Sequence, residues 1–165
     1  MNQSRYLALA GAVLAVGACN PFRTPMKQEP VVQVSTGDVN VNARWSGTLA
    51  SPSNLAGAVQ MKGSVTMTPG RDEDKTVVSV NLSNATPGGM HPWQLHRGQC
   101  SADDGVVGDA GAYPALKVDD YGRASSSATL PMTMPTTGSY HVSVGASTAN
   151  PETIVACANL APPSR

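Results

Sequence analysis

Short segments rich in valine, threonine, serine and methionine run through the chain at about residues 43–50, 57–68, 75–83, 92–97, 127–134, 139–145 and 153–159, with glycine, proline or asparagine between them. These are short β-forming runs with turn chemistry between them. They predict an all-β fold, an antiparallel sandwich or barrel. In Thr76-Val-Val-Ser-Val-Asn-Leu82, Val78, Val80 and Leu82 share one face while Val77, Ser79 and Asn81 share the other, so one side of the sheet is expected to be dry. The charged run Arg71-Asp-Glu-Asp-Lys75 follows Pro69-Gly70 and predicts a solvated hairpin tip. With one Phe, two Trp and four Tyr in 165 residues, the core must be built largely from Val, Leu, Met and Ala, with Trp93 as a large anchor.

The N-terminus has a different character. Arg5 precedes an apolar run from Leu7 to Val16, and Val16-Gly17-Ala18-Cys19 closes it with small residues before a cysteine. The run is short of the roughly 20 residues a bilayer span requires. It reads as a bacterial lipoprotein signal over residues 1–18, cleaved so that the Cys19 thiol carries lipid. The chain is then expected in the cell envelope, periplasmic or at the cell surface, held to the membrane through Cys19. Residues 19–42, with Pro21, Pro25 and Pro30, read as a tether in which 31–34 and 39–41 add short strands, and residues 43–162 as the domain. The eleven basic and eleven acidic side chains balance, which gives no electrostatic footprint for nucleic acid. No protein partner is named by the sequence.

The densest chemistry lies in residues 86–100, Thr-Pro-Gly-Gly-Met-His-Pro-Trp-Gln-Leu-His-Arg-Gly-Gln-Cys, which hold two of the three histidines, a tryptophan and a cysteine. From Trp93 to Arg97 alternation places Trp93 and Leu95 on one face, toward a core, and Gln94 and His96 on the other, toward a site. This stretch resembles the Cu,Zn superoxide dismutase family, through Gly89, His91, Trp93, Gln94, His96 and Cys100, with further support from Asp120 and Gly122 and from Cys157 near the C-terminus. The resemblance covers about residues 43–160 and implies a Greek-key β-sandwich or barrel. It also implies a Cys100–Cys157 disulfide, and with Cys19 lipidated these are the two cysteines left for an oxidising compartment.

The same resemblance implies a copper site of four histidines and a zinc site of three histidines and an aspartate, imidazole suiting both metals. Here His96 keeps a copper position, but Gln94 and Gly145 stand where two other copper histidines would be, and residues 101–119 hold no histidine to bridge the metals. Of the zinc positions Asp120 is kept, while Tyr113 and Lys117 occupy the neighbourhoods of histidines, and Ile154 replaces the family's active-site arginine. His91 corresponds to a histidine that supports the copper site without binding metal. His141, four residues before Gly145 on the same strand face, is within reach of His96 across a sheet.

Residues 100–123 read as a long irregular loop containing five aspartates, Asp103, Asp104, Asp109, Asp119 and Asp120, whose spacing is not that of a calcium loop. Gly-x-Ser-x-Gly is absent and the histidines have no acid partner assigned by the sequence, so hydrolase chemistry is not favoured. The expectation is a non-catalytic binding or structural module with no cofactor. The competing reading is a superoxide dismutase or copper-binding protein using a reduced site of His91, His96 and His141, with Asp120 as the retained zinc ligand.

Overall fold

The structure, a computed structural model, describes residues 44–55, 57–58 and 60–163. The expected signal segment 1–18, lipidation at Cys19, tether over 19–42 and short strands at 31–34 and 39–41 lie outside those residues. The described residues form ten strands: β1 (Trp45–Ala50), β2 (Lys62–Pro69), β3 (Thr76–Ser83), β4 (Met90–His91), β5 (Trp93–Gln99), β6 (Ala102–Val106), β7 (Leu116–Lys117), β8 (Ala124–Leu130), β9 (Tyr140–Ser147) and β10 (Asn150–Asn159). Eight of them make one antiparallel sheet in the order β6-β5-β9-β10-β1-β2-β3-β8, curled into a half-barrel, and β4 and β7 form a separate two-stranded ribbon. The chain leaves β3, crosses to β5 in the other half of the sheet, and returns to place β8 beside β3, the long return connection of a Greek key.

The burial of β3 follows its sequence alternation: Val78, Val80 and Leu82 are buried, Asn81 is exposed, and Val77 and Ser79 are half-buried. The core is made of Val, Leu, Met and Ala around two tryptophans, both almost fully enclosed. Each indole also satisfies its single donor, Trp45 Nε1–H to the Pro135 carbonyl and Trp93 Nε1–H to the Pro114 carbonyl, each at 2.8 Å. Tyr140 meets Trp45 edge-on and Tyr113 meets Trp93 in the same way, with ring centroids 5.3 and 5.1 Å apart. Residues 70–75 form the expected charged hairpin tip, closed by Gly70 N–H to Lys75 O at 2.8 Å.

Several expected boundaries move. The segment expected at 57–68 starts as strand at Lys62, after a 3-10 turn at Ser53–Leu55. The segment expected at 127–134 runs from Ala124 to Leu130, and its continuation bends so that Met132 O accepts from the buried Thr76 hydroxyl at 2.8 Å. The larger correction concerns residues 100–123, which are not one irregular loop: Ala102–Val106 is a strand and Ala110–Ala112 a 3-10 turn. Ala-Asp-Asp-Gly-Val has poor strand propensity. It pairs because Gly98 and Gly105 take left-handed conformations, with φ of +84° and +96°, that allow a tight bulged hairpin. As the outer edge of the sheet, β6 exposes its aspartates, and such charges oppose edge-to-edge association.

Candidate functional site

Alternation in β5 divides the two tasks predicted for it. Trp93 and Leu95 are buried in the core, while Gln94 and His96 line a cavity of about 860 Å³ on the opposite face. β9 supplies the facing wall: Gln94 pairs with Ser143 and His96 with His141, each directly across the ladder. Directly opposed residues share a face, so the two imidazoles meet, stacked with centroids 4.9 Å apart and planes 21° from parallel.

The third member comes from the edge hairpin. Between His96 and Gly98 the β5–β6 register shifts, and a side chain at Gly98 would strike the Ala102 carbonyl. The close turn that this glycine permits brings Asp103 Oδ1 to 3.0 Å from His96 Nδ1. Asp103 is anchored there by Gly105 N–H at 2.7 Å, which is the largest cause holding its carboxyl below the ordinary value; its contacts with His96 act in the same direction. The pKa of His141 is also lowered, first by burial and further by the charge of His96 when protonated. His96, Asp103 and His141 each bring one ligand-type atom within 4.8 Å of the others.

The other edge of the His96 ring faces Ser143, with Nε2 and Oγ 2.9 Å apart. With Asp103 ionised, Nδ1 carries the hydrogen and Nε2 accepts from the Ser143 hydroxyl. Serine, imidazole and carboxylate thus form a relay of the kind that activates a nucleophile. The backbone of β9 does not supply the oxyanion donors of an acyl-transfer site. Ser143 lies within β9, paired to Gln94 on one side and Cys157 on the other, so its backbone belongs to the ladders, and Gly145 N–H is taken by the Pro92 carbonyl at 2.8 Å. An oxyanion needs donors that are free to turn toward it.

The remaining sequence candidates go elsewhere. His91 is buried, and its Nδ1 bonds the Gly145 carbonyl at 3.0 Å, tying the β4–β7 ribbon to β9; it is not part of the His96, Asp103 and His141 group. Asp120 is exposed in the turn after β7 and is not part of that group either. Its neighbour Asp119 shapes the turn by accepting from Tyr121 N and Arg123 N at 2.9 and 2.8 Å, and the Arg123 amide is the chief cause of its lowered pKa. Gly122 completes the turn against the Ala85 backbone. Tyr113 is buried against Trp93 with its hydroxyl on the Val107 carbonyl, and burial raises its pKa to about 12; Lys117 is exposed.

Gln94, Gly145 and Ile154 all line the same cavity as His96. Gly145 has no room for a side chain in this backbone, because a Cβ would lie 2.5 Å from the Pro151 carbonyl oxygen. Cys100 and Cys157 are bonded, with Cα atoms 6.1 Å apart, and the disulfide forms part of the cavity wall. Sequence reasoning missed Asp103 and Ser143 as partners of His96. Position in β9 two residues from His141 was a usable signal for Ser143, whereas Asp103 depends on the bulge. No protein-family model matches the chain, and no curated protein is detectably similar to it.

Proposed function

We propose that the chain is a lipid-anchored protein of the bacterial cell envelope whose superoxide dismutase-like domain lacks the standard copper and zinc sites and works as a non-catalytic binding module. The observation that carries this reading is the composition of the cavity. Where the resemblance calls for copper histidines it has Gln94 and a Gly145 with no space for a side chain, and where it calls for an arginine it has Ile154. A redox cycle needs a metal held by a complete set of oriented ligands. A cavity of about 860 Å³ is instead of the size that holds a small ligand.

The test is metal analysis of the full chain purified without chelator, followed by a superoxide assay with one equivalent of copper. The reading expects no dismutase activity above that of free copper; activity well above it contradicts the reading. The second reading, a dismutase or copper-binding protein using His91, His96 and His141, draws on the stacking of His96 with His141. It requires that His91→Gln weaken copper binding, although His91 Nδ1 is already engaged by the Gly145 carbonyl.

A further inference from the structure

We propose that His96, Asp103 and His141 form a mononuclear site for a divalent transition-metal ion, copper(II) or zinc(II), on the Nδ1 edge of His96. This deepens the binding-module reading and rests on it. The site differs from the reduced histidine triplet by replacing His91 with Asp103. It lies on the ring edge turned to Asp103, not on the edge turned to Ser143 opposite Gln94.

Four observations converge on a cation of this class. First, the 3.0 Å between His96 Nδ1 and Asp103 Oδ1 suits a hydrogen bond and equally suits two adjacent ligands on one ion with bonds of about 2.0–2.2 Å. A ring nitrogen of His141 falls within 4.8 Å of both, so small side-chain movements close the set. Second, His141 Nδ1 is buried and makes no hydrogen bond. A bound ion would offset the cost of such a nitrogen if Nδ1 is the one turned to the site; His91 Nε2 is unpartnered in the same way outside it.

Third, among the described residues the cavity lining holds two carboxylates, Asp103 and Glu152, and neither lysine nor arginine, so no described cation opposes entry. Fourth, Ser143 supplies the support that metal-bound histidines require. With an ion on Nδ1, the His96 hydrogen resides on Nε2 and is donated to Ser143 Oγ, which fixes both tautomer and ring orientation. Two imidazoles and one carboxylate favour copper(II) and zinc(II) over magnesium and calcium, which seek sets of oxygen ligands. The cavity's cysteines are joined in the disulfide and offer no thiolate.

The experiment titrates the full chain with copper(II), zinc(II) and magnesium against a competing chelator, alongside Asp103→Asn, His141→Gln and Asp104→Asn. Melting of the metal-free proteins checks that each variant is folded; Asp103 is 52% exposed, so its variant is expected to keep the fold even if His141→Gln does not. The proposal expects one equivalent of copper or zinc and none of magnesium, with affinity lowered at least about tenfold in Asp103→Asn and His141→Gln. Asp104→Asn, which removes a neighbouring charge without removing a ligand, should stay within about threefold of the parent. The copper(II) spectrum of the parent should show two imidazole nitrogens, and that of His141→Gln one.

A folded Asp103→Asn protein with parental affinity overturns the site, as does copper and zinc binding no tighter than that of magnesium. If the metal fails to bind and no superoxide is consumed, the site is wrong and the non-catalytic reading stands. If the metal binds as described and superoxide is consumed faster than by free copper, the site stands and the non-catalytic reading falls.

Discussion

The half of the sheet made by β1, β2, β3 and β8 and the half made by β5, β6, β9 and β10 are built from similar segments, yet they differ in regularity. In the first half β2 pairs with β3 from Lys62↔Ser83 to Pro69↔Thr76 without a shift, and β3 with β8 from Thr76↔Leu130 to Leu82↔Ala124. In the second half the register slips between His96 and Gly98 and again at two places between Asn150 and Ala156. The disulfide and the cluster of His96, Asp103 and His141 lie in that irregular half, as does most of the cavity wall, which the end of β1 and residues 51–53 complete. Regular pairing fills a core. Bulges re-aim side chains, and here they bring an edge aspartate onto a buried histidine.

The largest expected effect comes from the one strand that serves both tasks. Trp93→Ala removes a side chain only 2% exposed, with its donor bonded and Tyr113 against its face, and should cost about 3–5 kcal/mol in urea denaturation. A loss under about 1 kcal/mol would mean that the irregular half has no core face of its own. Next is the disulfide, which joins the turn after β5 to β10. Its 57-residue separation predicts a loss of about 4 kcal/mol when both cysteines are replaced by serine. An unchanged melting temperature would show that the strand pairings alone hold this half.

Tyr113 gives a smaller effect confined to alkaline pH. Its pKa is raised from the ordinary 10 to about 12, so the neutral phenol is what the fold stabilises. That contribution is complete below pH 10 and is lost as pH rises from 10 toward 12, by about 2–3 kcal/mol, since the unfolded chain ionises first. Tyr113→Phe should be free of this alkaline decline in denaturation series at successive pH values; an identical decline in both proteins would place its cause elsewhere. Gly145→Ala tests the hairpin that closes the cavity. The added methyl meets the Pro151 carbonyl, and a cost of about 1–3 kcal/mol is expected, against near neutrality if β9 and β10 yield freely.

What could be read from the sequence follows the same division. The alternation of Val78, Val80 and Leu82, and of Trp93 and Leu95 against Gln94 and His96, needs only the two-residue period of a strand, and the structure agrees with it. The approach of His141 to His96 was also within reach, because both belong to β-forming runs with strong alternation. Asp103 was not. Its segment has the composition of a loop, and its position depends on the left-handed backbone at Gly98 and Gly105, which alternation does not encode. The space denied at Gly145 comes from Pro151, on the far side of a turn whose register slips, and it too is a property of the folded backbone.

The most direct test is anomalous diffraction at the copper and zinc absorption edges from crystals of the full chain grown with either ion. The account predicts a single strong peak bonded to His96 Nδ1, an Asp103 carboxylate oxygen and a ring nitrogen of His141, with Gln94 and His91 outside bonding distance. A peak on His91, or a fully ordered cavity with no peak beside Asp103, would contradict it.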